Sequence, residues 1–319
     1  MKAVPILVIA LVPASLALAV AFGSVDLGAA RVADALVLRG DELAREIVWG
    51  VRVPRALAGF ACGGLLALAG SLLQVLLRNP LADPYILGVS GGASAGALGA
   101  MLLGASLAGL HFSAFAGAAL AAGAVWAFSL GPSGWNPYRV LLAGVALSSG
   151  FGAIVGLLLS LAPSAQLQGM LFWLLGDLSP AGDPTPALVA LAACAALAFP
   201  QAAALDVLAL GEDKARSLGV AVTRVQFLAF GCATVATVAA VLLGGAIGFV
   251  GLVVPHVLRL CGIHRHGALL PLAACLGGSL LALADTLARS VAAPTELPVG
   301  VVTALIGVPV LLVLLTRLR

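Results

Sequence analysis

The stretch 78–96, RNPLADPYILGVSGGASAG, lies between two long apolar segments, and its reading decides the fold. A proline lacks a backbone donor and pushes the residue before it out of the helical region. Asn79 precedes Pro80 and Asp83 precedes Pro84, so a helix arriving from the N-terminal side ends here. The glycines and serines between Gly88 and Gly96 then suit a second helix lying close against its neighbours, as small residues permit inside a bilayer.

The surrounding composition is that of a membrane protein. Of 319 residues, 62% are hydrophobic and 9% charged, against about 25% charged in soluble domains. A spanning helix needs about 20 apolar residues, so the chain reads as an all-α polytopic membrane protein, one domain over 1–319. Net charge is +3 and the arginines are scattered, so nothing points to a nucleic-acid partner. The apolar run Ala3 to Phe22 behind Lys2 is like a secretory signal, but it exceeds the 7–15 residues of a signal core and is expected to stay as a first helix. Cys62, Cys194, Cys232, Cys261 and Cys275 sit in or beside apolar runs with no CxxC pair, which reads as packing. In CGIHRH, Cys261, His264 and His266 lack an evident fourth ligand. No metal or cofactor is expected.

Charges, prolines and glycines divide the apolar sequence into about ten spans, at 4–23, 54–77, 86–104, 112–131, 139–161, 186–204, 224–244, 249–262, 268–289 and 298–316. Basic residues in the connections favour both termini in the cytoplasm. That choice puts Lys2, Arg78, Arg139, Lys214, Arg216, Arg224, Arg259, Arg265, Arg317 and Arg319 inside. It leaves Arg31, Arg39, Arg45, Arg52, Arg55 and Arg289 outside, and all of these but Arg289 fall in the connection 24–55. A second break, GGAIGFVGLVVPH at 244–256, sits in the other half of the chain. Opposed halves with interrupted helices are a transporter pattern.

An energy source is harder to find. Ion-coupled carriers place ionisable groups within the bilayer, but here the spans are nearly free of them. Asp285 comes nearest, and its spacing to Arg289 favours a local ion pair. A phosphate-binding GxxxxGK[ST] loop is absent, since neither Lys2 nor Lys214 ends one. Either a partner supplies ATP hydrolysis or the chain is a passive pore. The connection 205–224, LDVLALGEDKARSLGVAVTR, offers a place for a partner. It reads as a short helix with acidic residues early and basic ones late, matching the helix dipole, and a stop at Gly219. The plainer alternative is a solvated loop.

RVPRALAGFACGGLLALAGSLLQVLLRNPLADPYILGVSGGASAG (52–96), LLAGVAL (141–147), LALGEDKARSLGV (208–220), GAIGFVGLVVPHVLRLCG (245–262) and LADTLARSVAAPTELPVGVVTALIGVPVLLVLL (283–315) together resemble the FecCD/BtuC-type permeases. These are the membrane subunits of ATP-binding-cassette importers for ferric siderophores, haem and cobalamin. The resemblance implies ten helices per subunit, a second permease subunit (most simply a homodimer), two ATPase subunits below and a periplasmic substrate-binding protein above, all in a bacterial inner membrane. It also implies roles. Asn79 and Leu81, with Asn136, Pro137 and Tyr138, would form the inner gate. Leu210, Gly211, Glu212, Ala215, Leu218 and Gly219 would couple to the ATPase. Arg52, Arg55 and Arg289 would dock the binding protein, which would account for arginine gathering outside. The competing readings are an ion-coupled secondary carrier and a non-transporting scaffold. For cargo, an iron chelate or haem is placed first, with cobalamin close behind.

Overall fold

The computed structural model describes residues 3–131, 134–179 and 182–317; Lys2 and Arg319, two charges used in the orientation argument, lie outside them. In chain order the helices are α1 (Ala3–Ala21), α2 (Ala29–Leu36), α3 (Glu42–Arg45), α4 (Val53–Leu76), α5 (Val89–Leu102), α6 (Leu107–Ser129), α7 (Pro137–Leu161) and α8 (Ser164–Leu175). They continue with α9 (Thr185–Ala198), α10 (Ala202–Leu208), α11 (Glu212–Ser217), α12 (Val222–Gly244), α13 (Val250–Leu260), α14 (His266–Ser290) and α15 (Val299–Arg317). The only strands among the described residues are the two-residue pair Leu130–Gly131 and Gly134–Trp135.

Helix α4 is apolar on every side, and a helix of that kind must be buried. It stands in the middle, with α14, α12, α13, α9 and α1 packed around it, while α5, α6 and α7 form a neighbouring group. Lipid tails are as apolar as leucine, so helices in a bilayer associate through close contact rather than through exclusion of water. Two positions show how close. A Cβ placed on Gly63 would lie 2.2 Å from the Gly277 carbonyl oxygen, and one on Gly70 would lie 1.8 Å from that of Gly251. The small residues of the opening stretch act in the same way, for a Cβ on Gly92 would lie 2.3 Å from the Gly117 carbonyl oxygen of α6.

Each of the ten expected spans is a helix. Among the described residues seven helices are long and apolar enough to cross a membrane, and α5, α13 and Val299–Val313 of α15 are shorter apolar helices. α5 starts at Val89, later than expected, because Pro84–Leu87 forms a 3-10 turn and Gly88 then takes a left-handed conformation with φ 69°. Helices α8 and α2 lie outside the ten spans expected from the sequence. Both are too short to register as spans, and α2 packs into a small separate cluster with Leu27, Val32, Ala35, Ala44 and Val48. From α3 the chain runs through a π-helical segment, Glu46–Arg52, directly into α4.

Alternating helix directions bring 78–88, 134–137, 205–221 and 261–265 together at one end of the molecule. Residues 22–52, 176–179 and 291–298 gather at the other. Ion pairs and hydrogen bonds tie each group: Arg78 to Glu212 and His266 to Asp206 at the first end, Arg55 and Ser179 to Glu296 at the second.

Candidate functional site

The first break is built from its own side chains. α4 closes in a Schellman arrangement: the Asn79 N–H donates to the Gln74 carbonyl (3.1 Å) and the Arg78 N–H to that of Val75 (3.2 Å). Arg78 occupies the left-handed position, φ 49°, where glycine is usual. A bulky residue there costs on the order of 1 kcal/mol or more. Asn79 Oδ1 then accepts from the Leu81 N–H (2.9 Å), and Asp83 Oδ1 from the Tyr85 N–H (2.8 Å). The polar residue before each proline thus caps the turn that the proline forces.

The second break lies against the first. Tyr85 Oη accepts from the Ile247 N–H at 2.8 Å. Pro84 sits so near Gly251 that a Cβ on that glycine would be 2.6 Å from Pro84 Cδ. Phe249, φ 70°, turns the chain into α13. Gln74 joins the two from within α4, its amide donating to the Leu252 carbonyl (3.2 Å) and its Oε1 accepting from Arg259. The interruptions that the sequence places in separate halves are one structural unit.

Asn136 caps α7 by accepting from the N–H groups of Tyr138 (2.9 Å) and Arg139 (3.4 Å), which leaves Tyr138 largely exposed. The short helix α11 forms where the charged connection predicts it. Gly211 precedes it with φ 114°, and Gly219, φ 80°, ends it with the Val220 N–H donating to the Ala215 carbonyl (2.9 Å). Ala215 is fully buried while Leu210 and Leu218 are exposed, so α11 is seated by one face and offers leucines at either side. Glu212 accepts from Gln226 of α12 at 3.0 Å and lies 3.8 Å from Arg216 and 3.9 Å from Arg78.

These segments meet in one cleft of about 450 Å³, whose walls include Arg78, Asn136, Pro137, Tyr138, Leu210, Gly211 and Glu212. Asn79 opens instead onto an adjoining cavity of about 320 Å³ with Gln74, Arg259, His264 and His266. Leu81 is half-buried and lines neither. His266 is held by Asp206, whose carboxylate accepts from the His266 N–H (2.8 Å) and contacts Nδ1 (2.6 Å), so this histidine anchors α14 to α10. Among the described residues no group of three His, Cys, Asp or Glu could hold a metal ion.

At the opposite end lie Arg52, Arg55 and Arg289. They do converge, but inward, at 2%, 6% and 2% exposure. Arg52 donates to the carbonyls of Val20 (2.9 Å), Ala21 (2.7 Å) and Val25 (2.5 Å), which ties the end of α1 to the start of α4. Arg55 forks onto Asp285, Nε at 3.0 Å and Nη2 at 2.9 Å, and reaches Glu296 at 2.7 Å. Arg289 donates to the Ala19 carbonyl and lies 3.5 Å from Asp285. All three guanidinium groups thus make hydrogen bonds within the chain. The expected Asp285–Arg289 pair exists, but the main partner of Asp285 is Arg55, 230 residues away. Burial alone would raise the Glu296 carboxyl; hydrogen bonds from Arg55 and Ser179 outweigh it and hold the group below the ordinary glutamate range.

The chain matches the FecCD transport family over residues 8–317. It is 42% identical over 277 residues to the cobalamin import system permease protein BtuC of Halobacterium salinarum, covering 86% of this chain and 74% of that one. It is 40% identical over 279 residues to the vitamin B12 import system permease protein BtuC of Citrobacter koseri, with 85% and 83% covered. Among solved structures, a metal-chelate type ABC transporter in an inward-facing conformation superposes with a TM-score of 0.88 at 29% identity over all of both chains. PsaBC from Streptococcus pneumoniae, at 17% identity and a TM-score of 0.59, shares the fold. With broken helices paired at the centre, a short seated helix beside them and these likenesses along nearly its whole length, the chain belongs to the FecCD transport family and is a membrane-spanning permease of the ABC importer class.

Proposed function

We propose that this permease carries cobalamin into the cytoplasm, working as one of two permease subunits above a pair of partner ATPases. The cargo follows the cobalamin and vitamin B12 permeases to which the chain is 40–42% identical, rather than the iron chelate or haem placed first on sequence. The observation that carries the mechanism is the cleft in which α11 faces Asn136, Pro137 and Tyr138. A partner pushing on the exposed Leu210 and Leu218 moves the wall of the gate directly. In this reading the end with α11 is cytoplasmic, both termini lie on that side of a bacterial inner membrane, and a substrate-binding protein docks at the other end. There Arg52, Arg55 and Arg289 form the buried platform under the docking surface. The chain has no phosphate-binding loop, so hydrolysis is assigned to the partner.

The test is reconstitution in liposomes with the cognate ATPase and binding protein. Labelled cobalamin is expected to accumulate only with ATP and all components, and excess ferric siderophore or haem should not compete. Hydrolysis by the permease alone, or uptake of the iron chelate in place of cobalamin, would overturn the reading. Within the same assay Ala215→Leu should lower uptake about tenfold or more. The residue is fully buried, and overpacking of about 1–3 kcal/mol lifts α11 off its seat. Wild-type uptake and ATPase association in that variant would remove the coupling role.

A further inference from the structure

Arg78 stands at the meeting point of three things: the end of α4, the gate turn beginning at Asn79, and the helix α11. Its backbone is left-handed at a position where glycine would fit without strain. Its side chain, 46% exposed, lies 3.9 Å from the Glu212 carboxylate. An ion pair that open to water contributes little to stability, less than the backbone conformation takes away. Stability therefore does not account for an arginine here. The position of the side chain does: it is the one residue that lines both the cleft beside α11 and the cavity beside Asn79.

We propose that the Arg78–Glu212 pair is the link that transmits movement of α11 to the inner gate, with Arg78 as a positioning residue for transport. Glu212 is well placed to pass motion on. It opens α11, and Gln226 of α12 holds the same carboxylate at 3.0 Å. When α11 shifts, the carboxylate shifts with it and draws on Arg78. Arg78 is joined by one peptide bond to Asn79, whose side chain sets the turn at Leu81. The ion pair therefore reads a displacement of α11 and delivers it to the backbone of the gate. The link rests on the assignment of α11 as the coupling element, made above.

The experiment uses the complete transporter in liposomes and reads substrate moved per ATP hydrolysed, together with thermal stability. Arg78→Gly keeps the left-handed turn and removes the side chain. It is expected to fold as well as the wild type or better, to retain hydrolysis, and to lose roughly 2- to 30-fold in uptake per ATP, the range of coupling effects along such links. Glu212→Gln keeps an acceptor for Gln226 and should lose uptake per ATP to a similar extent. The double variant should be no worse than either single one, because both remove the same interaction. An unchanged ratio in Arg78→Gly overturns the proposal, as does a double variant whose loss is the product of the two single losses. A drop in stability at constant ratio also overturns it, since that marks Arg78 as structural. Ala215→Leu separates the two readings: if it uncouples transport while Arg78→Gly does not, the link fails and the coupling helix stands. If neither has any effect, the coupling assignment itself has failed.

Discussion

Arg55→Leu is expected to remove nearly all folded protein from the membrane, the largest effect of any single change in this chain. Asp285 is 1% exposed and accepts hydrogen bonds from Arg55 at both of its oxygens, with Arg289 at 3.5 Å as a weaker neighbour. Leucine at 55 leaves a buried carboxylate beside one cation that already serves the Ala19 carbonyl. Breaking a buried pair from one side costs about 3–5 kcal/mol, against a total stability of about 5–15 kcal/mol. The diagnostic comparison is Arg55→Leu with Asp285→Leu. Removing both charges eliminates the stranded ion, so the double variant should regain a substantial part of the yield lost by Arg55→Leu alone. Chromatographic yield and melting temperature in detergent would measure this. A single variant melting within about 2 °C of wild type, a shift worth about 1 kcal/mol and well below the loss expected, would show that the cluster does not hold the helices together. Glu296 adds a smaller pH-dependent part. Its carboxyl is held below the ordinary value of about 4.3. Its contribution is therefore complete above that value and fades as pH falls through the lowered one, so this end should loosen below the ordinary glutamate range.

The same cluster marks where the sequence stops being informative. Features written in adjacent residues were legible. Asn79 and Asp83 cap the turns their prolines impose, Gly219 ends α11, and the small residues from Gly88 onward admit α6. Each is a local rule acting over a few positions. What joins distant segments was not legible. No local pattern pairs Arg55 with Asp285, or the Tyr85 hydroxyl with the Ile247 N–H, because only the packing of α4, α13 and α14 brings them together. Arginine accumulating at one end gave the charge correctly but not the exposure. Arg52, Arg55 and Arg289 are buried in the chain, where they satisfy helix-end carbonyls and carboxylates. Connections that were read as loops, such as α2 and α8, lack the length that identifies a span.

Gly70→Ala is expected to be nearly as damaging as the loss of Arg55, although it adds a single methyl group to a helix whose intrinsic propensity the change improves. The added Cβ would fall 1.8 Å from the Gly251 carbonyl oxygen and 2.5 Å from its carbon. These are backbone atoms, so no side chain can rotate away. Gly251 in turn lies against Pro84 and the Leu66 carbonyl of α4, with no room for a Cβ of its own. α4, α13 and the 84–88 turn are therefore a stack of three without slack. Overpacking in such a place costs about 1–3 kcal/mol and sometimes more; with only backbone to yield, the upper part of that range applies. Part of the effect should be functional. Pushing α13 away strains the Tyr85–Ile247 hydrogen bond and the Gln74 contacts to Leu252, which hold the two breaks together. Gly99→Ala is the control. It lies in α5, and a Cβ there meets nothing within 4 Å, so propensity alone should act and stability should hold or rise by up to about 1 kcal/mol. Melting temperature and ATP-driven uptake of both variants in the same lipid give the answer. If Gly70→Ala melts and transports like Gly99→Ala, the close approach of α4 to α13 is not what holds the two breaks together.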